Sequence, residues 1–187
     1  MLNLPNFLTL LRIVAIPVFL IFLTDGRFGA ALLVFVLAGV TDSLDGAIAR
    51  LTNTRTTLGA YMDPLADKML LLSTFVVLAV MEAVPPWLTV VVITRDVLIL
   101  GGYLMLFLMT QRTMEVRPSA ASKASTFFQL LTLSLVLLSL WRPESVSSLA
   151  LLGVFGVTAA LTTVSGVQYV ARGLGWYQSI ATPEKAQ

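Results

Sequence analysis

Six apolar stretches, each close to the ~20 residues that a helix needs to cross a bilayer, constrain this chain most strongly. They lie at about 7–24, 28–50, 59–81, 86–109, 119–141 and 146–171. Turn-forming, proline or charged residues separate them, in the segments TDGRFG, LTNTRTT, MEAVPPW, TQRTMEVRPSA and WRPES. The connections are short, so consecutive helices should be antiparallel neighbours. We therefore predict an all-α integral membrane protein, a six-transmembrane-helix bundle that forms one domain over residues 1–187.

The composition supports this class and excludes several kinds of function. The chain is 57% hydrophobic and 12% charged, about half the charged fraction of soluble domains. It contains no cysteine and no histidine, which excludes disulfides, thiolate zinc sites and histidine-based catalysis. A net charge of +2 is too small to indicate nucleic acid as a partner.

The distribution of lysine and arginine predicts the orientation. With a cytoplasmic N-terminus, the inner side would hold Arg50, Arg55, Arg112, Arg117, Lys123, Arg172 and Lys185, and the outer side only Arg27 and Arg142. Seven against two agrees with the positive-inside rule. We therefore expect the N-terminus, and a cavity at the same end of the bundle, to be cytoplasmic.

Four aspartates fall within the second and third apolar stretches. Asp42 and Asp45 are three residues apart, and Asp63 and Asp67 are four apart, so each pair shares one helix face. An ionisable side chain at a membrane helix centre costs roughly 2.5–3.5 kcal/mol on insertion scales, which makes the cluster a candidate functional site. The short polar loop between the helices should bring matching depths together, so we expect the four carboxylates to converge.

The residue types at this cluster indicate its chemistry. Carboxylates without histidine or cysteine favour Mg²⁺ or Mn²⁺, and more than one ion, which usually act on phosphates. Gly46, Ala49 and Gly59 leave room for a ligand, and Arg50 offers a cationic fork to a phosphate. These residues suggest metal-assisted phosphoryl or phosphatidyl transfer. A structural network with Arg50 or Lys68, and a divalent-cation transporter, are the alternatives.

The cluster resembles a family signature. The pattern Asp42-x2-Asp45-Gly46-x2-Ala49-Arg50-x8-Gly59-x3-Asp63-x3-Asp67 resembles the complete motif of the CDP-alcohol phosphotransferase family, and the six-helix layout fits as well. The resemblance implies a dinuclear site with the metal ligands Asp42, Asp45, Asp63 and Asp67. It implies that CDP is bound by Asp42, Gly46, Ala49, Arg50 and Gly59. Asp67 would be the general base that takes a proton from the acceptor hydroxyl, which attacks the β-phosphorus of CDP-diacylglycerol and expels CMP.

Segments outside the signature bear on the acceptor. NLPNFLTLLRIVAIPVF is similar to phosphatidylglycerophosphate synthases and CMP-forming cardiolipin synthases of bacteria alike. TRDVLILGG and RPSAASKASTFFQ resemble the cardiolipin group more. We therefore expect phosphatidylglycerol as the acceptor, with glycerol 3-phosphate as the alternative, and the family resemblance further implies a homodimer in the bacterial inner membrane, among membrane lipids.

Three cations are candidates for the acceptor phosphate: Arg95, Arg117 and Lys123. Arg95 falls near the middle of the fourth apolar stretch, where an unpaired guanidinium is costly. It could instead form a structural pair with Asp96 or with another helix. Arg112, Arg117 and Lys123 lie in or just after a predicted cytoplasmic loop, where positive-inside anchoring explains them equally well.

Overall fold

The computed structural model describes the backbone of residues 4–52, 57–111 and 119–181, and the side chains of residues 11, 13–41, 68–111 and 119–178. This part of the chain forms six α-helices and one short 3-10 helix, and it contains no β-strand. The helices are α1 (Leu4–Thr24), α2 (Phe28–Thr52), α3 (Thr57–Val80), α4 (Pro86–Thr110), α5 (Ala120–Trp141) and α6 (Ser148–Ala181), with the 3-10 turn at Pro143–Ser145. The all-helical prediction is confirmed.

Three of the helices are long and apolar enough to cross a membrane. Within the described residues they span Pro86–Thr110, Ala120–Trp141 and Ser148–Gln178. The shorter apolar helices Ile13–Thr24, Phe28–Thr41 and Lys68–Val80 belong to α1, α2 and α3. The chain is therefore a helical membrane protein, and the number of six spans stays a prediction.

Two helix ends differ from the predicted ones by more than two residues. The first helix begins at Leu4 rather than residue 7, because proline at position 5 is compatible with a first helical turn. The last helix continues ten residues past the predicted end, to Ala181. Within this extension Gly173 is buried, and a Cβ there would lie 3.3 Å from Leu106 Cδ1. Contact with a neighbouring helix therefore outweighs the low helix propensity of glycine.

The chain divides into two compact units. The first comprises Met1–Val84 and Leu130–Leu151, and the second comprises Pro85–Gln129 and Leu152–Gln187. In the first unit α1 packs against both α2 and α3. Its apolar core includes Phe19 and Phe35, whose ring centroids are 5.7 Å apart. Leu23, Phe75, Leu78, Leu133 and Leu137 are also fully buried there.

The interior of the second unit is polar as well as apolar. Ser125 Oγ lies 3.0 Å from Thr162 Oγ1, and Gln129 Nε2 donates to both oxygens at 3.2 Å. Thr158 Oγ1 donates to the backbone carbonyl of Phe128 at 3.2 Å. Hydroxyl and amide bonds of this kind hold helices together where apolar burial alone does not distinguish neighbours from lipid. They connect α5 to α6.

The C-terminal ends of α1 and α3 have the same left-handed cap, but glycine occupies the left-handed position in one and glutamate occupies it in the other. After α1, Gly26 has φ +74°, and the Arg27 amide donates to the Phe22 carbonyl at 2.8 Å. After α3, Glu82 has φ 59°, and the Ala83 amide donates to the Leu78 carbonyl at 2.9 Å. Both are Schellman geometries, in which glycine avoids the steric cost of a side chain. Glu82 therefore carries strain that Gly26 does not.

Exchanging these residue types should change stability in opposite directions. Gly26→Ala should lower the unfolding free energy by about 1 kcal/mol, whereas Glu82→Gly should raise it by up to about 1 kcal/mol. Thermal unfolding in detergent, followed by circular dichroism, measures both. Gly153→Ala is the control for the same exchange outside a cap: a Cβ there meets nothing within 4 Å, and alanine inside α6 should raise the unfolding free energy by up to about 1 kcal/mol. Shifts of the same sign at residues 26 and 82 would contradict the cap interpretation.

Candidate functional site

The four signature aspartates lie on two consecutive helices at corresponding distances from the segment that joins them. Asp42 and Asp45 are ten and seven residues before the end of α2 at Thr52. Asp67 and Asp63 are ten and six residues after the start of α3 at Thr57. At 1.5 Å per residue, these offsets are about 15 Å for the outer pair and about 10 Å for the inner pair. The helix bounds thus agree with the equal offsets in the sequence, and the convergence of the four carboxylates stays a prediction.

The remaining signature positions follow the same two helices. Gly46, Ala49 and Arg50 occupy the last turns of α2, and Gly59 occupies the first turn of α3. Both helices contact α1, which gives them a common packing partner. The side chains at positions 42–67, including every signature side chain, lie outside the described residues, as does all of Arg117. Their predicted roles stay predictions.

The Arg95 side chain makes three hydrogen bonds within the second unit. Its Nη1 donates to Asp96 Oδ1 at 2.6 Å. Its Nη2 donates to Ser122 Oγ at 2.6 Å and to Ser165 Oγ at 3.0 Å. One guanidinium therefore connects α4, α5 and α6, and the structural pair with Asp96 that the sequence left open is present.

The surroundings of Arg95 are almost free of solvent. Its side chain is 8% exposed and that of Asp96 is 20% exposed. Burial makes an unpaired charge very costly, so the carboxylate and the two hydroxyls are required to keep Arg95 inside the unit. Within the described part of the chain, Arg95 Nε is the buried side-chain polar atom that has no hydrogen-bond partner.

Lys123 lies beside this cluster in sequence. It occupies the first turn of α5, directly after Ser122, and it is exposed. The structure thus brings Arg95 next to the helix turn that carries Lys123, which the sequence could not establish. Ser122 and Ser165 were not predicted as site residues. Ser122 lies inside the segment RPSAASKASTFFQ, but Ser165, 70 residues from Arg95, has no local signal that marks it.

Comparison with known proteins decides the family. A sequence model described as CDP-alcohol phosphatidyltransferase matches residues 2–167. The chain belongs to this family. The predicted enzyme class, a phosphatidyltransferase of phospholipid biosynthesis, is confirmed. The family generally depends on divalent metals, and a donor set of carboxylates alone suits Mg²⁺ or Mn²⁺ better than softer ions.

Relatives that carry different enzyme names resemble the chain. A probable phosphatidylglycerophosphate synthase of Mycobacterium tuberculosis is 38% identical over 178 residues, covering 92% of this chain and 82% of the relative. A CDP-diacylglycerol–glycerol-3-phosphate 3-phosphatidyltransferase of Bacillus subtilis is 33% identical over 192 residues, covering 92% and 95%. A CMP-forming cardiolipin synthase of Streptomyces coelicolor is 41% identical over 105 residues, covering 53% and 49%.

The Arg95–Asp96 pair generates a prediction about stability. Asp96→Ala leaves a buried guanidinium uncompensated and should lower the unfolding free energy by about 3 kcal/mol or more. The double variant Arg95→Met/Asp96→Ala removes both charges and should be more stable than Asp96→Ala alone. Melting temperatures in detergent provide the measurement. Glu144→Ala, at an exposed residue, is the control. A double variant no more stable than the single one would contradict this view of the pair.

Proposed function

We propose that this protein transfers a phosphatidyl group from CDP-diacylglycerol to the hydroxyl of phosphatidylglycerol, releasing CMP and forming cardiolipin. The observation that carries the proposal is the family match over residues 2–167, together with an intact signature on α2 and α3. The family is one of enzymes, so divalent-cation transport, the other class that the aspartates left open, is not proposed.

Asp67 acts as the general base in the proposed reaction. Its carboxylate accepts the proton of the acceptor hydroxyl while that oxygen forms a bond to the β-phosphorus of CDP-diacylglycerol. The bond from this phosphorus to the bridging oxygen breaks, and CMP leaves with the electron pair. Nearby cations favour the ionised form of a carboxylate, so no histidine is needed for this proton transfer.

The other signature residues bind and orient the CDP-linked lipid. Asp42, Asp45 and Asp63, with Asp67 as a further ligand, would hold two Mg²⁺ or Mn²⁺ ions. When bound, these ions supply charge neutralisation for the diphosphate. Gly46, Ala49 and Gly59 admit the cytidine because they lack bulky side chains, and Arg50 contacts phosphate. Asp42 also belongs to the proposed CDP-binding set.

The acceptor contacts are proposed in the second unit. Arg95 and Lys123, with Arg117, bind the acceptor phosphate. In support, Ser122 bonds to Arg95 and immediately precedes Lys123, so two cations occur in one region of this unit. Two of the donors on Arg95 are oriented by Ser122 and Ser165, which limits its freedom and pre-organises the side chain.

Glycerol 3-phosphate is the second candidate acceptor. The Mycobacterium and Bacillus relatives align with more than nine tenths of this chain. The first is named a probable phosphatidylglycerophosphate synthase, and the second is named a glycerol-3-phosphate 3-phosphatidyltransferase. The cardiolipin synthase of Streptomyces is slightly more identical but aligns over about half of the chain. Both acceptors have a glycerol hydroxyl and a phosphate, so the same base and cations serve either reaction.

We further propose a six-span homodimer in a bacterial inner membrane, with the N-terminus and the aspartates on the cytoplasmic side. The excess of arginine and lysine on the predicted inner side supports this orientation. Trp87 at the start of α4 and Trp141 at the end of α5 are both exposed, as expected for aromatic residues at a membrane interface.

Replacing the proposed base should abolish turnover without unfolding the protein. Asp67→Asn should lower the rate of CMP release by about 10²–10⁴-fold, the contribution expected of a general base. Radiolabelled CMP release measures the rate, and a melting curve tests the fold. Asp25→Asn, in the turn after α1, is the matched control and should keep the wild-type rate. Chelation of divalent metal should also stop CMP release. An active Asp67→Asn protein would refute the assignment.

The acceptor is identified by comparing two reactions of the purified protein in liposomes. Each contains CDP-diacylglycerol and Mg²⁺ or Mn²⁺, with phosphatidylglycerol in one and glycerol 3-phosphate in the other. We expect CMP and cardiolipin from the first, with the lipid identified by mass spectrometry. Phosphatidylglycerophosphate from the second reaction alone would replace the proposed acceptor and preserve the mechanism. No CMP from folded protein in either reaction would refute the proposed function.

A further inference from the structure

A groove of about 510 Å³ runs between α4 and α6, entirely within the second unit. Val90 and Leu98 mark its extent on α4, and Thr162 and Leu174 mark its extent on α6. We call it the α4–α6 groove. Its volume lies within the ~300–1,000 Å³ typical of small-molecule sites. It is formed partly by Gly166, which has no side chain to fill the space.

The walls of the α4–α6 groove suit an alkyl chain. Valine, leucine and alanine side chains form most of the surface, and the threonine hydroxyls on α6 are already engaged elsewhere. Thr162 Oγ1 is bonded to Ser125 and Gln129, and Thr163 Oγ1 donates to the Ala159 carbonyl at 2.9 Å. A sugar or a base would lose its hydrogen bonds with water here and gain few in return.

The length of the groove also fits an acyl chain. Val90 and Leu98 are eight residues apart, about 12 Å along α4, and Thr162 and Leu174 are twelve apart, about 18 Å along α6. The hydrocarbon layer is about 30 Å thick, so one leaflet contributes about 15 Å. The groove is therefore as long as one acyl chain in its own leaflet.

Arg95 gives the groove a polar feature that ordinary lipid contact does not need. It lines the groove and is buried, and its Nε has no hydrogen-bond partner among the described residues. Asp96 already balances its charge, so the missing partner is a single acceptor oxygen rather than a full counter-ion. A phospholipid can make both contacts: its acyl chain can pack against the apolar walls, and an ester or phosphate oxygen can accept a hydrogen bond from Arg95 Nε.

We infer that the α4–α6 groove binds an acyl chain of the lipid acceptor, which makes the acceptor a diacyl phospholipid rather than a water-soluble phosphate. This inference rests on the proposed function. The acceptor is favoured over CDP-diacylglycerol because the proposed CDP-binding residues are on α2 and α3 of the first unit. Arg95 and Lys123, the proposed acceptor contacts, belong to the second unit with the groove.

The experiment measures how the acceptor's chain length affects turnover. CMP release is compared with dioleoyl- and dioctanoyl-phosphatidylglycerol at equal mole fraction in mixed detergent micelles. Val170→Trp places a large side chain in the groove, and Val164→Trp is the matched control on the same helix outside it. Val170 and Val164 are similarly exposed, at 41% and 46%. Ala171→Leu is a second groove variant with a smaller added volume.

In the wild-type protein kcat/KM should be higher with the longer chain. Val170→Trp should lower the long-to-short ratio of kcat/KM by about tenfold, mainly through KM for the acceptor, because burial of a few methylenes is lost. Ala171→Leu should change it in the same direction, and Val164→Trp should leave it unchanged. CMP release is also measured with glycerol 3-phosphate as the acceptor, and with CDP-diacylglycerol of both chain lengths as the donor. A melting curve of each variant tests its fold.

Four results would overturn the inference while leaving phosphatidyl transfer intact. The wild-type protein could fail to distinguish the two chain lengths, or Val170→Trp and Val164→Trp could show the same long-to-short ratio of kcat/KM. Val170→Trp could change KM for CDP-diacylglycerol and leave KM for phosphatidylglycerol unchanged. Finally, CMP release could require glycerol 3-phosphate. Absence of CMP with every acceptor, from folded wild-type protein, would instead overturn the proposed function itself.

Discussion

The buried guanidinium of Arg95 is the interaction on which the second unit depends. A cation in an apolar helix bundle is tolerated only when its hydrogen bonds and its charge are satisfied at once. Asp96 supplies the charge, and hydroxyls on two other helices supply acceptors. Because those groups come from three helices, moving any one of them would expose the cation to an unfavourable environment. This dependence fixes the relative positions of α4, α5 and α6 more specifically than apolar packing would.

The described interior of the first unit is held together by apolar packing rather than by a buried charge. Its described interior is dominated by phenylalanine and leucine side chains, which pack α1 against its two partner helices. The signature aspartates belong to α2 and α3, the helices that this packing supports. Charged residues on an apolar scaffold are the expected arrangement for the metal and phosphate site that we propose there. The described apolar contacts and the proposed chemistry thus belong to different segments of α2 and α3.

Local features of the sequence predicted most helix ends to within two residues, and they predicted the enzyme class. Proline and charged punctuation marked the start of α4 at Pro86, and helical spacing placed each aspartate pair on one face. Contacts between residues that are distant in the sequence could not be predicted from it. The sequence suggested Asp96 as a partner of Arg95 because the two are adjacent, whereas Ser165 is separated by 70 residues and looks like any small polar residue in a helix. The continuation of α6 past residue 171 depends in the same way on the distant Leu106.

The length of α6 has a consequence for how the protein sits in its membrane. Its 34 residues extend about 51 Å, whereas a bilayer with its headgroups measures about 40–45 Å. A membrane-spanning helix longer than the bilayer must tilt, or one of its ends must protrude from the membrane. Gly173 packs against Leu106, so α4 has to share any tilt that α6 adopts. A change in bilayer thickness should therefore change the tilt of α4 together with that of α6.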